Sequence, residues 1–271
     1  VPVALIISGS GPTDRDGNNT IVGNNNSLKL LAEGLAVNGI ASLRYDKRGI
    51  AASAAAGSKE VDLRFDTYID DAEKWGKLLL KDRRFTKVIV IGHSEGALIG
   101  TVACKRLGAN GFISIAGAGY PAYEVLEVQL KRSLPPGLIS ESNTILDLLK
   151  KGTTTDKVPQ SLITLFRPSV QPYLISWFRY DPAYELSQLT VPVLIVQGTT
   201  DIQVSTEDAK RLTNANKLAR PLAIKGMNHV LKNVPADIGL QMRSYNDPDL
   251  PISTELLNKV AVFIKELSSK N

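Results

Sequence analysis

The stretch Val88–Gly100, VIVIGHSEGALIG, decides how the rest of the chain is read. A β-branched apolar run leads into Gly92-His93-Ser94-Glu95-Gly96, and a run of small and apolar residues follows. G-x-S-x-G alone is a weak pattern in a chain with 21 glycines. Between a strand-like and a helix-like segment it has the form of a nucleophile elbow, a sharp turn that presents a serine hydroxyl above the end of a sheet. Small residues at 92 and 96 let helix and strand approach where a Cβ would clash.

Outward from that stretch, similar apolar runs recur at Val3–Ile7, Ile40–Tyr45, Gly111–Ala116, Pro192–Gln197 and Pro221–Ile224. Continuous apolar character without strict alternation suits strands buried on both faces of a parallel sheet. Helical patterns lie between them. SLKLLAEGLAVNG has Ser27 placed as an N-cap and Gly39 as a stop, and DTYIDDAEKWGKLLLK opens with acids and ends with lysine, as the helix dipole favours. STELLNKVAVFIKEL sets Leu256, Val260, Phe263, Ile264 and Leu267 on one stripe. The alternation predicts an α/β protein with a doubly wound, mainly parallel sheet of about six strands.

The alternation fails from Gly117 to Gln188. This interval shows helical patterns broken by prolines and holds eight of the sixteen aromatic residues. It is expected to be a helical cap whose rings pack its own small core, with some lining a pocket. The densest aromatic run, Tyr173–Tyr184, makes Tyr173, Trp177 and Phe178 the candidate substrate contacts.

Composition narrows the function. The chain has 271 residues, 43% of them hydrophobic, and a formal charge of +5. Its basic residues are scattered, with no cluster larger than KDRRFTK, so nucleic acid is not an expected partner. No stretch approaches the roughly 18 uncharged apolar residues of a membrane span. Two histidines and one cysteine, Cys104, leave too few ligands for a structural zinc site, and no cofactor or metal is expected. The sequence starts at Val1 without methionine, as either a trimmed chain or one that has lost an export signal would, so localisation stays open.

A serine hydroxyl needs a base, normally histidine. His93 precedes Ser94 and is expected to point to the other side of the elbow, which leaves His229, just after the last strand-like run. Asp201 lies beyond another strand and can orient the imidazole. The order Ser94, Asp201, His229 is the order of an α/β-hydrolase triad.

GSGPTDRDGN (Gly9–Asn18), RYDKRG (Arg44–Gly49), GHSEGA (Gly92–Ala97), QGTTDIQV (Gln197–Val204) and NH (Asn228–His229) occur in this order. On these motifs, which span nearly the whole chain, the sequence resembles the α/β-hydrolase superfamily, nearest to bacterial serine esterases. It departs from such proteins in two places. They usually carry additional strands before the first one here, and a second glycine where this chain has Ala51 or Ala52. The resemblance implies a single domain, 1–271, with the cap inserted at 117–188. It also implies hydrolysis of a small-molecule carboxylic ester through an acyl-enzyme on Ser94. Thioesterase, acyltransferase and aminopeptidase chemistry use the same triad, and a non-catalytic binding protein could keep the fold. Haloalkane dehalogenases and many epoxide hydrolases are disfavoured, since they carry aspartate where Ser94 stands. Oligomeric state is left open.

The loop SGSGPTDRDGNN (Ser8–Asn19) looks at first like a calcium or phosphate loop. Gly17 is at position 4 counted from Asp14 where an EF-hand needs glycine at 6, and no Gly-Lys-Ser/Thr follows. The resemblance instead implies an oxyanion loop, with the Ser10 N–H as one donor and the Glu95 N–H as the other. Asp14, Arg15, Asp16, Asp46 and Arg48 are then expected to brace the loops around it.

Overall fold

A computed structural model describes residues 1–57 and 59–269. Six strands, β1 (Val3–Ile7), β2 (Ala41–Arg44), β3 (Val88–His93), β4 (Gly111–Ile115), β5 (Val193–Gly198) and β6 (Ala219–Ile224), form one sheet in the order β2-β1-β3-β4-β5-β6. Every pairing is parallel, and the register runs Val3↔Val88 to Ile7↔Gly92 between β1 and β3. The expected doubly wound sheet is present.

Pleating explains the unbroken apolar runs. Along β1, Val3, Leu5 and Ile7 enter the core on one face, while Ala4 and Ile6 enter the core on the other. In β3, Val88 and Val90 separate from Ile89 and Ile91 in the same way. Both faces must therefore be apolar. Helices α1 (Ser27–Val37) and α11 (Thr254–Ser269) cover one face, the latter through the stripe from Leu256 to Leu267. Helices α2 (Phe65–Lys81) and α3 (Glu95–Leu107) cover the other. Among the described residues no helix is long and apolar enough to cross a membrane.

Helix α1 begins at its expected cap residue, one position earlier than a Ser27 cap would start it. Asn26, in the left-handed region at φ 54°, precedes it, and Ser27 is its first residue. The Ser27 N–H donates to Asn25 Oδ1 at 3.0 Å, so an Asx turn replaces the serine cap. Gly39, at φ 76°, ends the helix as expected.

Between β4 and β5 lie α4 (Ala122–Ser133), α5 (Pro136–Lys150), α6 (Ile163–Phe166), α7 (Gln171–Trp177) and α8 (Pro182–Ser187), with no strand. Pro136 and Pro182 open α5 and α8, where a missing N–H costs nothing. Leu130, Ile145, Leu149, Phe166, Tyr173, Leu174 and Phe178 belong to the same buried cluster as β1, β3 and α3. The insertion thus shares the core of the sheet instead of forming a separate one. After β5 come α9 (Thr206–Ala215), β6 and α10 (Ile238–Ser244).

Candidate active site

The loops after β1, β3, β5 and β6 meet at the carboxyl edge of the sheet. Strand order changes direction there around β1, the position where open α/β sheets bind ligands. Ser94 joins β3 to α3 at φ 56°, ψ −123°, a region that a non-glycine residue enters at a cost of about 1–3 kcal/mol. The backbone pins it: the Ser94 N–H donates to the Ile115 carbonyl at 3.0 Å, and its own carbonyl accepts from the Ala97 N–H at 2.9 Å. A methyl group on Gly96 would overlap the carbonyl of Ile7 and lie 2.6 Å from that of Ser8, so only glycine lets α3 start this close to β1.

His229 and Asp201 meet as the sequence expects. His229 Nδ1 lies 2.9 Å from Asp201 Oδ2, and both side chains are buried. Asp201 Oδ1 accepts the N–H groups of Gln203 (2.8 Å) and Val204 (3.0 Å), and Oδ2 also accepts from Gln197 Nε2 at 3.1 Å. Burial pushes the Asp201 carboxyl upward, but the His229 charge and these bonds outweigh it and hold its pKa below the usual value. With Nδ1 donating to the carboxylate, Nε2 is the nitrogen left to accept a proton. The two loops are also tied through backbone. The N–H groups of Thr199 and Thr200 donate to the carbonyls of Ile224 (3.0 Å) and Met227 (3.1 Å). Gly198 permits this approach, since a methyl group there would overlap the Met227 carbonyl. Ser94 and His229 line one cavity of 240 Å³ without a hydrogen bond between them, and catalytic contacts of this kind often tighten only when substrate is bound.

His93 does not turn away from the site. Its ring is buried, 4.9 Å between centroids from that of His229, with Nε2 at 2.8 Å from the His229 carbonyl. Since a carbonyl only accepts, Nε2 carries the proton. Burial first, then the nearby His229 charge, push the His93 pKa down to about 4, so the ring is neutral near pH 7. Adjacency in sequence to Ser94 hid this role, because the partner lies 136 residues away.

The loop after β1 lies against the elbow: a methyl group on Gly9 would come within 3.1 Å of Ser94 Cβ. Among the described residues neither the Ser10 nor the Glu95 N–H donates to a protein acceptor. Both residues line a cavity with Ser94. The bracing charges are present. Arg15 grips Asp46 with Nε (3.0 Å) and Nη2 (2.6 Å), Asp46 also accepts the Ala52 N–H at 3.2 Å, and Arg48 pairs with Asp71 at 2.6 Å. Ala51, one of the two alanines at which a glycine was expected, takes φ 42° in the left-handed region. Asp14 Oδ1 accepts the N–H groups of Asp16 and Asn18, both at 2.9 Å.

One member escaped the sequence reading. Lys47, between Asp46 and Arg48, is buried with Nζ 3.2 Å from Glu95 Oε1 and 2.5 Å from the Gly9 carbonyl. Glu95 Oε2 accepts from the Tyr173 hydroxyl at 2.9 Å. Burial, then the Glu95 charge, raise the Tyr173 pKa, which keeps that hydroxyl a donor.

On its other side Ser94 opens into a cavity of 370 Å³ beneath the insertion, lined by Leu98, Val125, Leu126, Leu165, Leu174 and Trp177 among others. Tyr173 and Trp177 line it as expected. Phe178 does not: its ring turns into the insertion's packing and meets Tyr123 edge-on at 5.9 Å. Consecutive residues at the end of α7 project about 100° apart, and here that step takes Phe178 off the cavity wall that Trp177 lines.

Residues 24–162 match the model of a family described as serine aminopeptidase, S33. The chain belongs to that family. The S33 chain is 30% identical over 233 residues to Esterase EstD of Thermotoga maritima, a match covering 85% of this chain and 54% of EstD. It therefore spans about half the length of this curated relative. Its fold is that of the α/β hydrolases. Est1E from Butyrivibrio proteoclasticus, solved with ferulic acid bound, superposes with TM-score 0.62 at 16% identity over 99% of this chain and 88% of that one. A thermophilic esterase from Thermogutta terrifontis gives 0.59 at 13% identity over 98% and 90%. A monoacylglycerol lipase from Paleococcus ferrophilus gives 0.57 at 16% over 98% and 94%. At these identities the likeness is one of fold.

Proposed function

We propose that this chain hydrolyses carboxylic esters through an acyl-enzyme on Ser94. The observation that carries the reading is His229, tied through Nδ1 to buried Asp201 and sharing a cavity with the strained Ser94. His229 Nε2 takes the hydroxyl proton as Ser94 Oγ attacks the carbonyl carbon. The oxygen that becomes negative is received by the N–H groups of Ser10 and Glu95, each worth about 2.7–4 kcal/mol of barrier in comparable sites. His229 then returns the proton to the leaving alkoxide as the C–O bond breaks, and water repeats the sequence to release the acid. No cofactor enters these steps.

The two cavities divide the substrate. The leaving oxygen must stand beside His229, which lines the 240 Å³ cavity. The acyl chain then occupies the 370 Å³ cavity, roofed by residues 117–188 acting as a cap on a single α/β-hydrolase domain that spans 1–271. Among the described residues the one charged side chain lining that acyl cavity is Glu95, already engaged by Lys47 and Tyr173. An aminoacyl substrate would bring its ammonium group to a wall with no free carboxylate, which favours esters over the aminopeptidase chemistry of the family description. The name of the EstD relative points the same way.

Fluorophosphonate should label wild-type protein at Ser94, and p-nitrophenyl esters should be cleaved faster than thioesters or aminoacyl anilides. An unlabelled Ser94 would instead support a binding protein that kept the fold. Anilides cleaved faster than esters would return the chain to aminopeptidase chemistry.

A further inference from the structure

We propose that Lys47, Glu95 and Tyr173 are positioning residues that aim both oxyanion donors, an inference that rests on the esterase reading above. Lys47 Nζ donates to the Gly9 carbonyl at 2.5 Å. That oxygen belongs to the same peptide plane as the Ser10 N–H, and in a trans peptide the two point in opposite directions. Holding the oxygen from behind therefore fixes where the Ser10 N–H points. It also polarises the peptide, since hydrogen bonds in a chain strengthen one another.

The same ammonium group holds the second donor. Lys47 Nζ lies 3.2 Å from Glu95 Oε1, with both side chains at most 3% exposed, and the Glu95 N–H is the other donor. Glu95 Oε2 takes the Tyr173 hydroxyl at 2.9 Å, and Lys47 Nζ sits 5.0 Å from the centre of the Tyr68 ring. Three pieces of chain, the β1 loop, the elbow and helix α7 of the insertion, thus converge on one buried ion pair. Stability does not explain such a pair, because well-packed apolar residues of equal volume are often as stable or more so. A fixed geometry for two backbone donors does explain it. Through Tyr173, docking of the insertion and alignment of the oxyanion site become one event.

The test compares wild type with Lys47→Met, Lys47→Met/Glu95→Gln and Tyr173→Phe, each first checked for folding by urea unfolding. A boronic acid that forms a tetrahedral adduct on Ser94 is the transition-state probe, and a p-nitrophenyl ester the substrate. In Lys47→Met and in the double variant kcat should fall about 100-fold and boronate affinity by the same factor, with KM within about twofold. Tyr173→Phe, which leaves the Gly9 carbonyl held, should lose only about three- to tenfold in both. The double variant removes both charges together, so it keeps the test alive if Lys47→Met alone leaves Glu95 unpaired and unfolds. Folded variants with wild-type boronate affinity overturn the proposal, as does a loss confined to KM. A wild-type Ser94 that fluorophosphonate does not label overturns the esterase reading, and the proposal with it.

Discussion

The carboxyl edge of the sheet and the helical insertion face each other across Ser94, and they are built by opposite means. At the sheet edge, backbone does the work. Ser94 is held at φ 56°, Gly96 lets α3 start against the carbonyls of Ile7 and Ser8, and Gly198 lets the Asp201 and His229 loops bond to each other. In the insertion the backbone is ordinary helix, and its contribution is side-chain surface: Val125, Leu126, Leu165, Leu174 and Trp177 line the larger cavity. Backbone placed by strain and close approach tolerates few substitutions, whereas an apolar wall changes by degrees. Changes at the edge should therefore alter rate, and changes in the insertion's apolar wall should alter selectivity.

The largest effect tests the edge. Ser94→Ala should lower kcat on a p-nitrophenyl ester on the order of 10⁶-fold, and Asp201→Asn on the order of 10⁴-fold, with unfolding midpoints near wild type for the former. A retained burst of product in Ser94→Ala would move the nucleophile elsewhere. Next, Gly198→Ala should force the Met227 carbonyl away and shift His229 relative to Ser94. A displacement of about 1 Å can cost roughly 100-fold in rate, which steady-state kinetics with an unchanged chain-length profile would show.

A smaller effect is expected at His93. His93→Gln can still donate from Nε2 to the His229 carbonyl and should keep most activity, while His93→Ala should lose about tenfold through a looser His229. The same residue sets an acid limit. Its native pKa of about 4 lies below the ordinary value of 6.5, so the unfolded chain takes up this proton first as pH falls. The stability involved is fully present above pH 6.5 and is lost between there and about 4, on the order of 3 kcal/mol at most. Urea unfolding at pH 7 and pH 4.5 should show a smaller difference in His93→Gln than in wild type.

The smallest rate effects belong to the apolar wall of the insertion. Trp177→Ala should shift the preferred acyl length by enlarging the cavity wall, a change of about 1–3 kcal/mol between neighbouring substrates, with phosphonate labelling of Ser94 unchanged. Phe178→Ala should leave the profile alone and cost about 3–5 kcal/mol of stability, because its ring packs on Tyr123. A selectivity change from Phe178 and none from Trp177 would reverse the assignment of the wall.

Much of the edge was legible in the sequence because its signals are local. Apolar runs show strands, G-x-S-x-G shows a turn whose geometry its own glycines dictate, and a chain with two histidines leaves few choices of base. The order of strands with their following loops was enough to expect Ser94, Asp201 and His229 at one end of the sheet. What neighbouring residues cannot encode is which distant group a side chain meets. His93 was expected to point away, yet it bonds the backbone of His229; Lys47 carries no local signal, yet it joins Gly9, Glu95 and, through Glu95, Tyr173. Trp177 and Phe178 are adjacent letters that a helical turn sends to different surroundings. Tertiary structure decided these cases because burial makes a polar or aromatic side chain take whatever partner the packed chain brings within reach, and that partner comes from other elements of the fold.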